Sequence, residues 1–331
     1  MKTASISFNP FMQGIKPLRS AFKGFPFIKP LKEDSFELSS NVQKVKIKDI
    51  SGSDKEAVIT KSAEEGHSGD DSEKFVISAD GKNLGYAVVK NSRNKKELNL
   101  FHLYTEEHAS RHYKGAGTEL LKCAVKESIN RGYNGKTRLY ASHAEYSPLV
   151  FYYKNNFIVE KSASGYIYEL NHNLNAAIHY AALNNLPIYD VLPYSCSQTF
   201  MYLDEKGAEA FLDGKRLYEN RTAEKLSSKE INGVSCTASL IQSPYENEYY
   251  LLVTEDEPEK KKAMFAVTLE EKEADEGGKY FEIKDLYNYE QGGKKHCAFA
   301  LETLGRLSEE KGYKKEALSP KMGIDASLWI E

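Results

Sequence analysis

From Asn41 onward the chain alternates apolar and polar residues. NVQKVKIKDI has the period-two pattern of a half-buried strand. A looser helical pattern follows at Ser53–Lys61, and AEEGHSGDDSEK reads as a polar loop. Three strands come next, at Phe75–Ser78, Leu84–Lys90 and Glu97–Thr105, with Asp80-Gly81 as a hairpin turn between the first two. The period then changes. TELLKCAVKESINR, Thr118–Arg131, places Leu120, Leu121, Ala124, Val125 and Ile129 on one helical face. Gly132 stops that helix where a left-handed residue is cheap. A strand at Thr137–Ser142 follows, then a short helix opened by Pro148 (LVFYYKNN) and a strand, FIVEKS. Leu174–Asn185 reads as a helix, Thr199–Leu203 as a returning strand, and Gly207–Leu212 as the closing piece. Gly214–Asn232, rich in Lys, Glu and Ser, reads as a linker or an exposed helix.

Hairpins first and a βαβ crossover later predict an α/β fold. Its sheet is mixed and mostly antiparallel, with helices on its faces. Part of the pattern recurs. Gly85–Val89 pairs in type with Met264–Thr268, and Leu98–Tyr104 with Phe281–Tyr287. Leu120–Tyr133 pairs with Ala300–Tyr313, both ending in Gly-Tyr ahead of an expected strand. Two tandem copies of one fold are therefore expected. They differ where the helix begins: Lys114–Gly117 is KGAG, whereas the matching Lys294–Cys297 is KKHC. Without glycines, backbone amides cannot approach a phosphate closely, so the second copy is expected to be degenerate.

Charge narrows the partners. The 331 residues carry 45 Lys and Arg against 48 Asp and Glu, a formal net charge of −3. That balance points away from nucleic acid and from a charged membrane surface. The lysines at Lys44–Lys48 and Lys260–Lys262 have acidic neighbours and read as solvated faces. No apolar run reaches the length of a membrane span. Residues 1–32, basic and rich in Phe and Pro, read as a poorly ordered arm or docking segment. Cys123, Cys196, Cys236 and Cys297 form no close pair, so neither a metal nor a disulfide framework is expected and a cytoplasmic, reduced state fits. Cys123 and Cys297 fall in helical patterns as small buried apolar residues.

The chemistry concentrates in HYKGAGTELL. A strand ends, Gly-x-Gly follows, and an apolar helix begins at once. Amides in such a loop point into one concavity, and the helix N-terminus adds about half a positive charge. Arg111 and Lys114 add formal charge. Gly-x-Gly alone also serves as a tight turn. A dinucleotide fold is disfavoured, because Leu120 stands at the third glycine position and the preceding strand belongs to a hairpin.

With His112-Tyr113-Lys114-Gly115-Ala116-Gly117 followed by Phe151-Tyr152-Tyr153-Lys154-Asn155-Asn156-Phe157, the chain resembles the GNAT superfamily of N-acetyltransferases over about Asn41–Leu212. The resemblance implies an acetyltransferase domain over 41–213; with the composition and the repeat, the expected division adds an arm over 1–40, a linker over 214–232 and a degenerate copy over 233–331. The resemblance also implies acetyl-CoA as cofactor, held by Leu103, Tyr104, Arg111, His112, Lys114, Gly115, Ala116, Gly117 and Thr118. A small-molecule or protein amine would attack the thioester directly, in a monomer or homodimer. A backbone amide at the splayed strand end Leu103–Tyr104 would steady the oxyanion. Tyr152 would serve the leaving thiolate. Glu106, Glu107, His102 and His143 are the candidate bases, and His102 is expected to alternate inward. His112 stands where the family has Gln or Arg, Glu145 where it often has Asn, and Asn156 where Gly is common, Asn tolerating positive φ. The acceptor groove would draw on Ala63–Glu73 and Leu174–Tyr194. A non-catalytic acyl-CoA-binding scaffold and a transferase using another activated donor stay open.

Overall fold

The computed structural model describes residues 41–63, 72–94, 96–106, 111–142, 148–159, 165–192, 198–244, 247–257, 260–275, 277–289 and 292–313. The N-terminal arm, most of the loop after Ala63, Glu107, His143, Glu145, Cys196 and the strand expected after Tyr313 lie outside them. From Asn41 onward the chain clusters as one unit.

Pairing overrides local preference at the first hairpin. β1 (Val42–Asp49) buries Val45 and Ile47, and β2 (Asp54–Ala63) buries Ala57 and Ile59 on the same face. Ser53–Lys61 is thus strand, not the expected helix. Its weak helix propensity yields to neighbours on both sides, β1 and β3. β3 (Glu73–Ala79), β4 (Lys82–Asn91) and β5 (Leu98–Thr105) extend the meander. Asp80 (φ 50°) and Gly81 (φ 73°) make the expected turn with the two positive φ angles of a tight hairpin.

β6 (Tyr113–Lys114) returns to the outer edge of β1. α1 (Ala116–Asn130) then crosses the sheet, and β7 (Thr137–Ser142) runs parallel to β5. α2 (Leu149–Lys154), β8 (Ile158–Val159), α3 (Gly165–Leu183), α4 (Ile188–Val191), β9 (Gln198–Leu203) and α5 (Glu205–Leu212) complete this part. Among the described residues the sheet orders as β6-β1-β2-β3-β4-β5-β7-β9-β8, and only β5 and β7 pair in parallel.

An ionic clamp fixes the C-terminal end of α1. Lys61 Nζ reaches Glu127 at 2.8 Å and Glu73 at 2.9 Å, while Arg131 reaches the same two carboxylates at 2.8 Å each. Burial raises the Glu127 pKa, but hydrogen bonds from Arg131 and Lys61 outweigh it and hold the carboxyl below its ordinary range.

The second sheet is a plain antiparallel meander of β10 (Ala223–Ile231), β11 (Val234–Gln242), β12 (Glu248–Asp256), β13 (Lys261–Glu273) and β14 (Lys279–Asn288), followed by α6 (Lys294–Glu310). The expected linker over 214–232 is therefore corrected: most of its second half is β10. That edge strand faces solvent along much of its length, so its composition is polar. Strand alternation gives β12 two cores. Tyr250 and Leu252 join the core that includes α3, whereas Leu251 and Val253 join the one beneath α6. Each such side chain contributes roughly 1.5–3 kcal/mol when fully buried. The small residues Ala176, Ala177, Ala181 and Ala182 of α3 are buried, and β12 and β13 pack against this helix. Leu174–Leu183 is thus helical and mostly buried.

Cys123, Cys236 and Cys297 are free and buried. No helix among the described residues is long and apolar enough to cross a membrane.

Candidate active site

β5 and β7 lie side by side for three residues only, Leu98–Leu100 against Thr137–Leu139. Beyond them β5 stays with β4 to Thr105 and β7 stays with β9 to Ser142, so a wedge opens in the sheet. A bulge marks where it starts. Val88 pairs with His102 and Val89 with Leu100, which leaves Phe101 as the extra residue. Both Phe101 and His102 are exposed as a result, so His102 does not alternate inward as expected. Exposed aromatics rim the wedge: Phe101 (45%) and Tyr104 (46%) on β5, and Tyr140 (58%) on β7. Tyr140 is absent from the residues that the sequence points to. The alternation in TRLYAS, with Leu139 buried, is the signal that could have found it.

The strand amides can be sorted. Glu106 N donates to Leu84 O at 3.0 Å. Amides on an antiparallel strand alternate in direction, so the Tyr104 N–H faces β4 while those of Leu103 and Thr105 face the wedge. The Leu103 N–H is therefore directed into the wedge, whereas that of Tyr104 turns toward β4.

The end of β5 meets the start of α1. Gly115 caps the helix at φ 98°, a left-handed angle, with no side-chain hydrogen bond at the cap. The amides of the first turn therefore depend on something other than a cap side chain. Glu119 N donates to Gly115 O at 3.0 Å and closes that turn. Gly117 explains the second glycine. A Cβ added there would lie 3.6 Å from Thr105 Cγ2 and 3.6 Å from Phe151 Cζ. The notch between β5, α1 and α2 thus has room for a methyl group and little more. Ala116 is buried beneath it, and Thr118 comes next on the same turn.

The basic residues lie along a strap across this end. His112 O accepts from Ile50 N at 3.0 Å, Lys114 pairs with Lys48 in the β1–β6 register, and Tyr113 Oη donates to Asp80 at 2.8 Å. Arg111, His112 and Lys114 are exposed.

α2 supplies the aromatic side. Phe151 and Tyr152 stack edge-on at 5.3 Å. Tyr152 is 6% exposed, and its hydroxyl has no hydrogen-bond partner among the described residues. Burial pushes that phenol up to about 12. Tyr153 turns into the core, and it does more than pack. Arg221 donates to its oxygen at 3.2 Å, and the hydroxyl shares a hydrogen bond with His179 Nδ1 at 2.7 Å. Burial, with Arg221 added, presses His179 down to about 3, and the ring is neutral. Asn156 adopts φ 69°, the positive angle expected of it. Its amide also donates to Gly207 O and Lys215 O and accepts from Leu217 N, ties that a glycine could not make.

No protein-family model and no curated protein matches the chain. Among solved structures, a Bacillus subtilis acetyltransferase in complex with CoA is 16% identical. That match covers 40% of this chain and 76% of that one, with a TM-score of 0.28. A nourseothricin acetyltransferase is 18% identical, covering 36% and 74%, with a TM-score of 0.24. Scores this low leave the chain's own geometry as the ground for its function.

Proposed function

We propose that the chain is an acyl-CoA-dependent N-acetyltransferase of the GNAT type. The observation that carries this reading is the meeting of three parts: the uncapped start of α1, the wedge beside Leu103 and the α2 aromatics, joined at the Gly117 notch. The acetyl-CoA pyrophosphate would take the amides of residues 115–117, with Arg111, His112 and Lys114 nearby as counter-charge. Thr118 would extend that turn. The pantetheine arm would run into the wedge, where the Leu103 amide would face the thioester oxygen.

An amine nitrogen then forms the new C–N bond as the C–S bond breaks. The amine proton leaves to solvent or to an acceptor such as Glu106. Tyr152 best serves the departing sulfur by donating a hydrogen bond. Outright transfer from a phenol near 12 to a thiolate whose acid is near 8.5 would run uphill by about 5 kcal/mol. That unfavourable step favours one second reading, an acyl-CoA-binding scaffold without turnover. The five-strand meander followed by a helix, seen at β1–β5 with α1 and again at β10–β14 with α6, fits a diverged tandem copy.

Two measurements test this. Acetyl-CoA raises the melting temperature of the full chain if the turn holds it. Tyr152→Phe keeps that shift and lowers kcat roughly tenfold or more against an amine panel. A ligand shift with no acetylated product from any amine supports the scaffold. Absence of any shift refutes both readings.

A further inference from the structure

The second sheet holds chemistry that the acetyltransferase reading does not use. Cys236 on β11 and Glu255 on β12 are direct cross-strand partners. His296, in the first turn of α6, comes down on the same spot. One ligand atom from each residue, thiol sulfur, carboxylate oxygen and ring nitrogen, lies within 4.8 Å of the other two. His296 Nε2 stands 3.5 Å from Glu255 Oε1. Tetrahedral bonds of about 2.0–2.3 Å put ligand atoms roughly 3.3–3.7 Å apart, so small side-chain movements close the set.

An independent observation concerns His296 itself. It is 4% exposed, its Nδ1 makes no hydrogen bond among the described residues, and its Nε2 has only the long 3.5 Å approach of Glu255. Buried imidazoles normally satisfy at least one nitrogen. The Cys236 sulfur is also buried, and its hydrogen bond to Val234 O is a long 3.7 Å. Three buried or half-buried donors converge with little else to bind.

We propose that Cys236, Glu255 and His296 form a divalent zinc site that ties α6 to the second sheet. Sulfur and imidazole ligands select zinc over magnesium or calcium, which take oxygen. A thiolate and a carboxylate balance the two positive charges. The Cys236 proton passes to solvent as the Zn–S bond forms, and a water completes the fourth position.

The test uses the full chain, stripped with a chelator and dialysed. Zinc chloride is then titrated while melting temperature is followed, and cobalt(II) is added to a second sample as a spectroscopic probe. Expected are one equivalent of zinc per chain, a raised melting temperature and a thiolate-to-cobalt charge-transfer band. In Cys236→Ser and His296→Gln the zinc Kd rises at least about 100-fold, because loss of an outer-shell partner alone costs 10- to 100-fold. Cys297→Ser, one residue along, keeps the band. Circular dichroism of Cys236→Ser matched to the metal-free parent separates lost binding from lost folding. A chain with no zinc shift and no cobalt band overturns the proposal, as does Cys236→Ser binding zinc like the parent.

Discussion

α1 and α6 start in opposite ways. Each comes after a five-strand meander and each is capped by a glycine without a side-chain hydrogen bond. Gly115 sits at φ 98° and leads into Ala116 and Gly117, so bare backbone lines the first turn. Gly293 is extended, at φ −171°, and leads into Lys294, Lys295, His296 and Cys297. Lys295 bends away to Asn232 at 2.6 Å, while His296 and Cys297 fill the interior. The expected correspondence of KGAG with KKHC therefore needs shifting. Gly292-Gly293 occupies the second junction, and KKHC lies wholly within α6. A helix dipole is common to both ends. The side chains just after the cap decide whether an anion or the protein itself occupies the space.

Substitutions at paired positions can break or sharpen this contrast. The largest effect is expected at Gly117→Trp. The notch admits a methyl, so an indole displaces Phe151 or blocks the turn, and acetyl-CoA affinity by calorimetry falls at least about 100-fold, near 2.8 kcal/mol. Gly117→Ala keeps binding. Retained affinity in the tryptophan variant would place the cofactor elsewhere.

Next come the helix anchors. Glu127→Gln leaves Lys61, Arg131 and Glu73 imbalanced around a half-buried site and costs about 2 kcal/mol in urea unfolding. The same clamp responds to acid. A carboxyl held below its ordinary range contributes fully above about pH 4.3 and loses that contribution as pH falls through its folded value. The variant should therefore show a flatter acid limb than the parent. On α6 the comparable pair, Lys229 with Glu302, is exposed, and Glu302→Gln leaves the melting temperature unchanged.

The smallest effect separates the two caps. Gly115→Ala meets no atom within 4 Å but must hold a left-handed angle, which costs about 1–2 kcal/mol. Gly293→Ala is extended and open, and stays within about 0.5 kcal/mol of the parent. Equal costs at both positions would erase the distinction.

Local features are the legible ones. Asp80-Gly81, the α1 face, Gly115 and the positive φ of Asn156 each depend on a few neighbouring residues. Where the outcome depends on partners distant in sequence, legibility ends. β2 looks helical because its partners β1 and β3 are not visible in SDKEAVITKSA. β10 looks like linker because an edge strand buries little. The bulge at Phe101 exposes His102, and no local pattern announces it. Cys236, Glu255 and His296 stand on three elements and meet only through cross-strand register and helix docking.

The two-sided burial of β12 has a practical consequence. Tyr250 and Leu252 roof the alanine-rich surface of α3, so a chain ended near Asn220 would bare that surface to water. Trimming the molecule to its first sheet should give an aggregating fragment rather than a minimal stable domain, and any perturbation of the second sheet has a direct mechanical route to the helix beside the first.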